Sequence, residues 1–190
     1  MSADEMRRAE DERRMRRALR LAERAAEEGE VPVGAVIYRG NELVGSAWNQ
    51  TRGLKDPTAH AEMLAITQAA AAVGDWRLEG CTLYVTKEPC AMCAGAAVLA
   101  RIPRVVWGES DPLRGGGLSR FRILQTPELN HRAEVTTGVL EGECTEVLRE
   151  FFRRRREENR SEESGVRSEG RTAISGDDEE KHGSGQERAE

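Results

Sequence analysis

From residue 33 to residue 137 the chain alternates short β-branched, apolar runs with segments of helical period, and this alternation restricts the fold more than any other feature. Val33–Tyr38 and Leu43–Trp48 flank Gly40-Asn41, the pattern of a β-hairpin. "CTLYVT" at 81–86, "RVVWG" at 104–108 and Ala133–Thr137 supply three further strands. Asp56-Pro57-Thr58 signals the start of a helix that carries Met63, Leu64, Ile66, Thr67 and an alanine run to Val73. Pro89 suits the first turn of another helix through Ala91–Leu99. Met15, Leu19, Ala22 and Ala26 recur at helical spacing in a segment from about Asp4 to Glu28, closed by Gly29 and Pro32, and Cys144–Arg156 reads as a last helix. Strands alternating with helices bury both faces of a sheet. The expected fold is therefore an α/β three-layer α/β/α sandwich around a mixed, mostly parallel five-stranded sheet.

The pattern stops near residue 156. Residues 157–190 are nearly all Glu, Asp, Arg, Ser and Gly, with Val166 and Ile174 the only aliphatic side chains larger than Ala. Such a segment buries too little apolar surface to offset its ordering entropy, so residues 1–156 are expected to form one domain and residues 157–190 a disordered acidic tail. The tail carries a net charge of −6 against −5 for the whole chain, which leaves +1 for residues 1–156. The folded part is near neutral, and a local basic patch could still meet a polyanion. No apolar run is long enough to span a membrane, and the N-terminus is charged throughout with no hydrophobic signal core. The expected compartment is the cytoplasm, where clustered cysteines more often bind metal or do chemistry than form disulfides.

Two of the four cysteines fall in Pro89-Cys90-Ala91-Met92-Cys93, and His60-Ala61-Glu62 precedes them. Each piece alone has a bland reading. His60 near an Ala-rich helix could be a hydrogen-bonded structural residue, Cys-x-x-Cys a redox pair, and a lone Cys a small buried hydrophobe. In conjunction they point to one metal ion. Cys90 and Cys93 stand at i and i+3, so both sulfurs face one side of their helix, at the end whose dipole favours thiolates. In neighbouring βα units, two helix N-termini can meet at the carboxyl edge of the strands. His60, Cys90 and Cys93 make three ligands for a single Zn2+ per subunit, one short of a closed tetrahedron. Only Cys81, Cys144, His131 or His182 could add a fourth nitrogen or sulfur, so an open, catalytic site is expected. Glu62 can face the metal together with His60 only at a helix entrance, where the chain has not yet settled into helical dihedrals. There it would take a proton from the activated water and return it to the leaving group, the machinery for hydrolytic loss of ammonia from an aminopurine or aminopyrimidine.

These motifs resemble the zinc deaminase signature. With "VPVGAVI", "WNQ", "DPTAHAEMLAI", "RIPRVVWG", "LNHR" and "LREFFRRRR", residues 10–156 look like the bacterial tRNA-specific adenosine deaminases. The resemblance implies a cytidine-deaminase-like sandwich, a homodimer, no organic cofactor, and conversion of adenosine to inosine at the wobble position (34) of an arginine tRNA anticodon. On matching positions it implies zinc on His60, Cys90 and Cys93, proton transfer by Glu62, contact of Asn49 with a flipped-out nucleoside, and Asp111 near the substrate sugar. Asn49 reads equally as a turn residue. Phe151 and Phe152 are adjacent and cannot share one helix face. An exposed Phe beside Arg153–Arg156 suits an anticodon stem-loop and its phosphates, which makes Phe151 and Arg153 the expected contacts; a solvated basic helix end is the alternative. The chain departs from the family pattern at Lys87, usually apolar, at Glu109-Ser110, and at Leu118, Arg120 and Arg122. These changes touch the substrate side and leave the metal ligands intact. A deaminase of a free nucleobase or nucleoside (guanine or cytosine), a non-catalytic zinc protein and a thiol redox enzyme are the competing readings.

Overall fold

The computed structural model describes residues 1–172, with side chains described through residue 161. In chain order the elements are α1 (Ala3–Glu27), β1 (Gly34–Arg39), β2 (Glu42–Trp48), α2 (Ala61–Val73), β3 (Cys81–Lys87), α3 (Ala91–Leu99), β4 (Arg104–Glu109), a 3-10 turn at Ile123–Gln125, β5 (Glu134–Thr136) and α4 (Glu141–Thr172). α2 begins later than Asp56-Pro57-Thr58 suggests. The Asp56 carboxylate accepts the Thr58 N–H at 2.8 Å and the Thr58 hydroxyl at 2.7 Å, closing a tight turn in place of a helix cap. α4 runs past the expected end at Arg156, because Glu and Arg are good helix formers even where they supply nothing to bury. The expected tail thus starts as helix over residues 157–172, and residues 173–190 lie outside the described residues.

Two compact units divide at Phe151/Phe152. The described part of the second is the continuation of α4, laced along its own surface by Arg153–Glu157 at 3.6 Å and Arg155–Glu158 at 3.3 Å. The first unit, Met1–Phe151, holds the sheet.

Its five strands lie in the order β2-β1-β3-β4-β5, a mixed sheet with helices on both faces. β1 runs antiparallel to both β2 and β3, while β3, β4 and β5 run parallel. β2 and β3 therefore point the same way although β1 lies between them. The segments leaving β2, β3 and β4 all emerge at one edge of the sheet, where the sites of α/β proteins form.

Side chains alternate across the sheet with period two, and both faces are buried. Ala35, Ile37, Leu83, Val85, Val105 and Trp107 pack with Ala61, Ala65, Ala69, Ala94 and Ala97 of α2 and α3. Val36, Tyr84 and Val106, one position out of phase, pack with Met15, Ala18 and Leu19 of α1 and Cys144 of α4. On this second face Arg104 Nη2 donates to Asp11 Oδ2 at 2.7 Å and the Tyr84 hydroxyl donates to Asp11 Oδ1 at 2.9 Å, tying α1 to β3 and β4. Among the described residues no helix is long and apolar enough to cross a membrane.

Candidate active site

His60 is the N-cap of α2, with extended backbone (φ −73°, ψ 152°), and its ring makes no cap hydrogen bond. Cys90 holds the same place on α3 (φ −68°, ψ 175°), and Cys93 lies within the first turn. The imidazole Nδ1 lies 3.6 Å from Cys90 Sγ and 3.5 Å from Cys93 Sγ. All three candidate ligand atoms fall within 4.8 Å of one another. One imidazole nitrogen and two sulfurs are a donor set for a borderline-soft divalent cation, and the two helix N-termini that carry them favour the thiolate form. The group is positioned to hold a metal ion.

The other candidates for a fourth ligand are employed elsewhere. Cys81 is buried in the core at the start of β3, and Cys144 packs on the opposite face of the sheet. The Nε2 of His131 is 2.8 Å from the Ile102 carbonyl oxygen. His182 lies outside the described residues. Among the described residues, then, the cluster has three candidate ligands.

Glu62 is 4% exposed, one residue into α2 beyond Ala61. The extended backbone at His60 is what lets residues i and i+2 serve one site. Burial is the main influence on the Glu62 carboxyl and pushes its pKa up to about 7, with the charge on Cys90 adding to the rise. Two sulfurs this close share one negative charge. The Cys90 pKa is lowered to about 4, first by its hydrogen bond with Cys93 and then, against burial, by His60. Cys93 is pushed up by the Cys90 hydrogen bond and by burial. His60 is raised, chiefly by its hydrogen bond to Cys90. These are the directions of the protein groups alone; a bound cation would reverse those of His60, Glu62 and Cys93.

Two buried carboxylates that sequence reasoning passed over shape the surroundings. Glu88 accepts the N–H groups of Leu118 and Ser119 on Oε1, both at 2.8 Å, and the Asp111 N–H on Oε2 at 2.9 Å; the Ser119 hydroxyl also donates to Oε2. It thereby folds the loop after β4 back onto the turn that carries Cys90, where Gly116 N–H donates to the Pro89 carbonyl at 2.7 Å. Gly115 has no room for a side chain, since a Cβ there would lie 2.4 Å from Glu88 Cδ. Glu30 does the same for residues 49–53: it takes the Arg52 and Gly53 N–H groups at 2.8 and 2.7 Å and the Asn49 amide at 3.1 Å. Their only sequence signal was a charge in an otherwise apolar or turn-forming context.

Asn49 follows β2, buried, and Gln50 N–H donates to the Ala59 carbonyl at 3.0 Å, which keeps it beside the entrance of α2. Asp111 follows β4 at the same edge. Phe151 is half-buried; the exposed ring of the pair is Phe152, at 44%. Cys144, Leu148 and Phe151 stand at i, i+4 and i+7, so Phe151 continues the face that packs inward. Arg153 pairs with Glu157 on α4.

The MafB19-like deaminase family model matches residues 9–156, most of the chain, from within α1 through the sheet and into α4. The chain belongs to the MafB19-like deaminase family. A tRNA-specific adenosine deaminase of Bacillus subtilis (strain 168) is 47% identical over 152 residues, 80% of this chain and 94% of the relative. A structure solved in a study of A-to-I editing by tRNA:A34 deaminases superposes with a TM-score of 0.69 at 43% identity, over 72% of this chain and 99% of that one. A guanine deaminase from Nitrosomonas europaea shares the fold, with a TM-score of 0.64 at 24% identity over 74% of this chain and 83% of that one. The resemblance read from the motifs stands, and the fold by itself does not separate a tRNA substrate from a free base.

The positions at which the sequence is expected to depart from the family pattern lie around the loop after β4. Lys87 Nζ is 3.0 Å from Asp111 Oδ2. The Glu109 carboxyl is raised by burial, and its Oε2 is sealed with no partner. Ser110 Oγ accepts from Trp107 Nε1 at 3.2 Å. Leu118 packs partly on the core, Arg120 is exposed, and Arg122 takes a left-handed conformation (φ 50°) just before the 3-10 turn.

Proposed function

We propose that this chain is a zinc-dependent hydrolase that deaminates adenosine to inosine at the wobble position, 34, of a tRNA anticodon. The observation that carries the reading is the meeting of His60, Cys90, Cys93 and a buried carboxylate at one sheet edge, in a chain whose relatives at 42–52% identity are named tRNA-specific adenosine deaminases. His60, Cys90 and Cys93 hold the zinc. Bound there, zinc supplies the Lewis acidity that makes water nucleophilic near neutral pH.

The remaining work belongs to the protein. Glu62 accepts a proton from the attacking water and hands it to the ring nitrogen, then accepts a second from the new C6 hydroxyl and hands it to the departing amine, and so ends the cycle ionised. The C6–N bond breaks, a C6–O bond replaces it, and ammonia leaves. Burial of Glu62 keeps bulk water from competing for that proton. Asn49 and Asp111 contact the nucleoside, and Phe151 and Arg153 meet the anticodon stem-loop, with the exposed Phe152 better suited than Phe151 to stack on a base. The enzyme acts as a homodimer in the cytoplasm, where its RNA substrate is found.

The deciding experiment incubates zinc-loaded protein with an arginine tRNA carrying A34 and reads inosine directly by sequencing and nucleoside mass spectrometry. Inosine at that position alone is expected. Conversion of free guanine or cytosine with no inosine in the tRNA overturns the substrate and leaves the chemistry.

A further inference from the structure

Glu30 is 2% exposed, in the short segment between α1 and β1, and the deamination chemistry makes no use of it. Its four hydrogen bonds are all accepted: Oε1 from the Arg52 and Gly53 N–H groups, Oε2 from Asn49 Nδ2 at 3.1 Å and the Thr51 hydroxyl at 3.3 Å. A carboxylate accepts and does not donate, so the nitrogen end of the Asn49 amide has to face it; the flipped amide would set oxygen against oxygen. Thr51 locks the same orientation, for its hydroxyl donates to Glu30 and accepts from Asn49 Nδ2 at 3.3 Å.

The nitrogen of the Asn49 amide is thus committed to Glu30 and Thr51, and its Oδ1 accepts no hydrogen bond from any described residue. That oxygen is not one of the sealed, partnerless atoms among the described residues, which are Arg14 Nε, Arg104 Nε and Glu109 Oε2, so it is not fully enclosed by the protein. Asn49 N–H donates to the Val33 carbonyl at 2.9 Å, and the neighbouring Gln50–Ala59 bond at 3.0 Å ties the segment to the residue before His60.

We infer that Glu30 is a positioning residue which fixes Asn49 as a hydrogen-bond acceptor toward the substrate, so that the site selects an O–H or N–H donor on the bound nucleoside in place of a bare ring nitrogen. The inference rests on the reading that Asn49 meets the nucleoside, and it adds the polarity of that contact and the residue that sets it. A site built to receive a donor discriminates strongly, because a bound substrate that lacks the donor covers the acceptor and leaves it unpaired.

Glu30→Gln tests the polarity with almost no change of shape. The introduced amide can keep the two backbone N–H groups on its oxygen, but its nitrogen then faces Asn49, which turns over and presents Nδ2 to the substrate. KM for an anticodon stem-loop is expected to rise about 10- to 100-fold, with kcat within about threefold and one zinc per chain retained. Adding Asn49→Asp returns an acceptor that can also receive the introduced amide N–H, so the E30Q/N49D double variant recovers KM to within about threefold of wild type. Asn49→Asp alone opposes two carboxylates and should be worse than the double variant. Unchanged KM in E30Q, or a double variant no better than the singles, overturns the inference. So does unfolding of E30Q that the second substitution does not rescue, since Glu30 would then act on the fold alone. If wild-type protein deaminates a free base and leaves the stem-loop untouched, the tRNA reading falls separately, and the same four proteins are compared on that base.

Discussion

Lys87 Nζ lies 3.0 Å from Asp111 Oδ2, joining the last residue of β3 to the loop that follows β4. The other carboxylate oxygen, Asp111 Oδ1, accepts the Leu113 and Arg114 N–H groups, both at 3.0 Å. Burial opposes ionisation of this group, yet Lys87 and the two N–H groups together hold its pKa below the ordinary Asp range. A depressed carboxylate stabilises the fold above the unfolded-state value of 3.8, and that contribution is lost as pH falls through the native value. Lys87→Met should therefore raise the Asp111 pKa in a carboxyl NMR titration and cost less than about 1 kcal/mol at pH 7, a partly exposed pair being weak. The cost should shrink below pH 3.8. A variant equally destabilised at neutral pH and well below the native Asp111 value would mean that Lys87 acts by packing.

Glu62 separates an enzyme from a metal-stabilised fold. If Glu62 moves protons as proposed and does not complete the donor set, Glu62→Ala is expected to lower the deamination rate by about 10²- to 10⁴-fold while zinc stays bound at one per chain. Rate and metal content are read on one sample. Turnover close to wild type would remove Glu62 from the reaction.

Burial of Glu62 predicts a pH signature in chelator-treated protein. Its pKa of about 7 stands above the unfolded value of 4.5, so the neutral carboxyl stabilises the fold fully below pH 4.5, and this is lost as pH rises through about 7. Compared with Glu62→Gln, wild-type apoprotein should lose stability across that window in urea unfolding. An infrared carboxyl band that disappears near pH 7 in wild type and is missing from the variant identifies the group. Adding zinc should shift the transition downward, since a nearby cation favours the carboxylate.

The elements that place this site were largely legible in the sequence because they follow from period and punctuation. The hairpin around Gly40-Asn41, the strand at Cys81, the helix behind Pro89 and the convergence of His60 with Cys90 and Cys93 required only local patterns and the rule that α/β sites form at the strands' carboxyl edge. What stayed hidden depends on pairs far apart in the chain. Asp11 and Arg104 look like surface charges in an arginine-rich sequence, and only the fold brings them to 2.7 Å across 93 positions. The antiparallel place of β1 between β2 and β3 has no local signature either. Phe151 and Phe152 could be told apart only once the phase of α4 against Cys144 and Leu148 was fixed.

Glu88 gives the sharpest test of how the loop after β4 is held. Removing its side chain leaves the N–H groups of Asp111, Leu118 and Ser119 without their acceptor in a partly buried place. Each such group costs about 1–3 kcal/mol unless water reaches it. Water entry is available here, since Ser119 is exposed, so Glu88→Ala should lower global stability by about 3–4 kcal/mol, the low end of that sum. The clearer consequence is local. Amide hydrogen exchange at residues 111–119 should accelerate well before β3 or β4 does, because the loop loses its anchor while the strands keep their ladders. KM for the anticodon stem-loop should rise with the loosened loop, and zinc content should hold, since Cys90 keeps its place as the cap of α3. Glu88→Gln, which retains an acceptor oxygen for the Leu118 and Ser119 N–H groups, should recover most of the protection. Uniform exchange across loop and sheet in Glu88→Ala would mean that this carboxylate supports the core and not the loop.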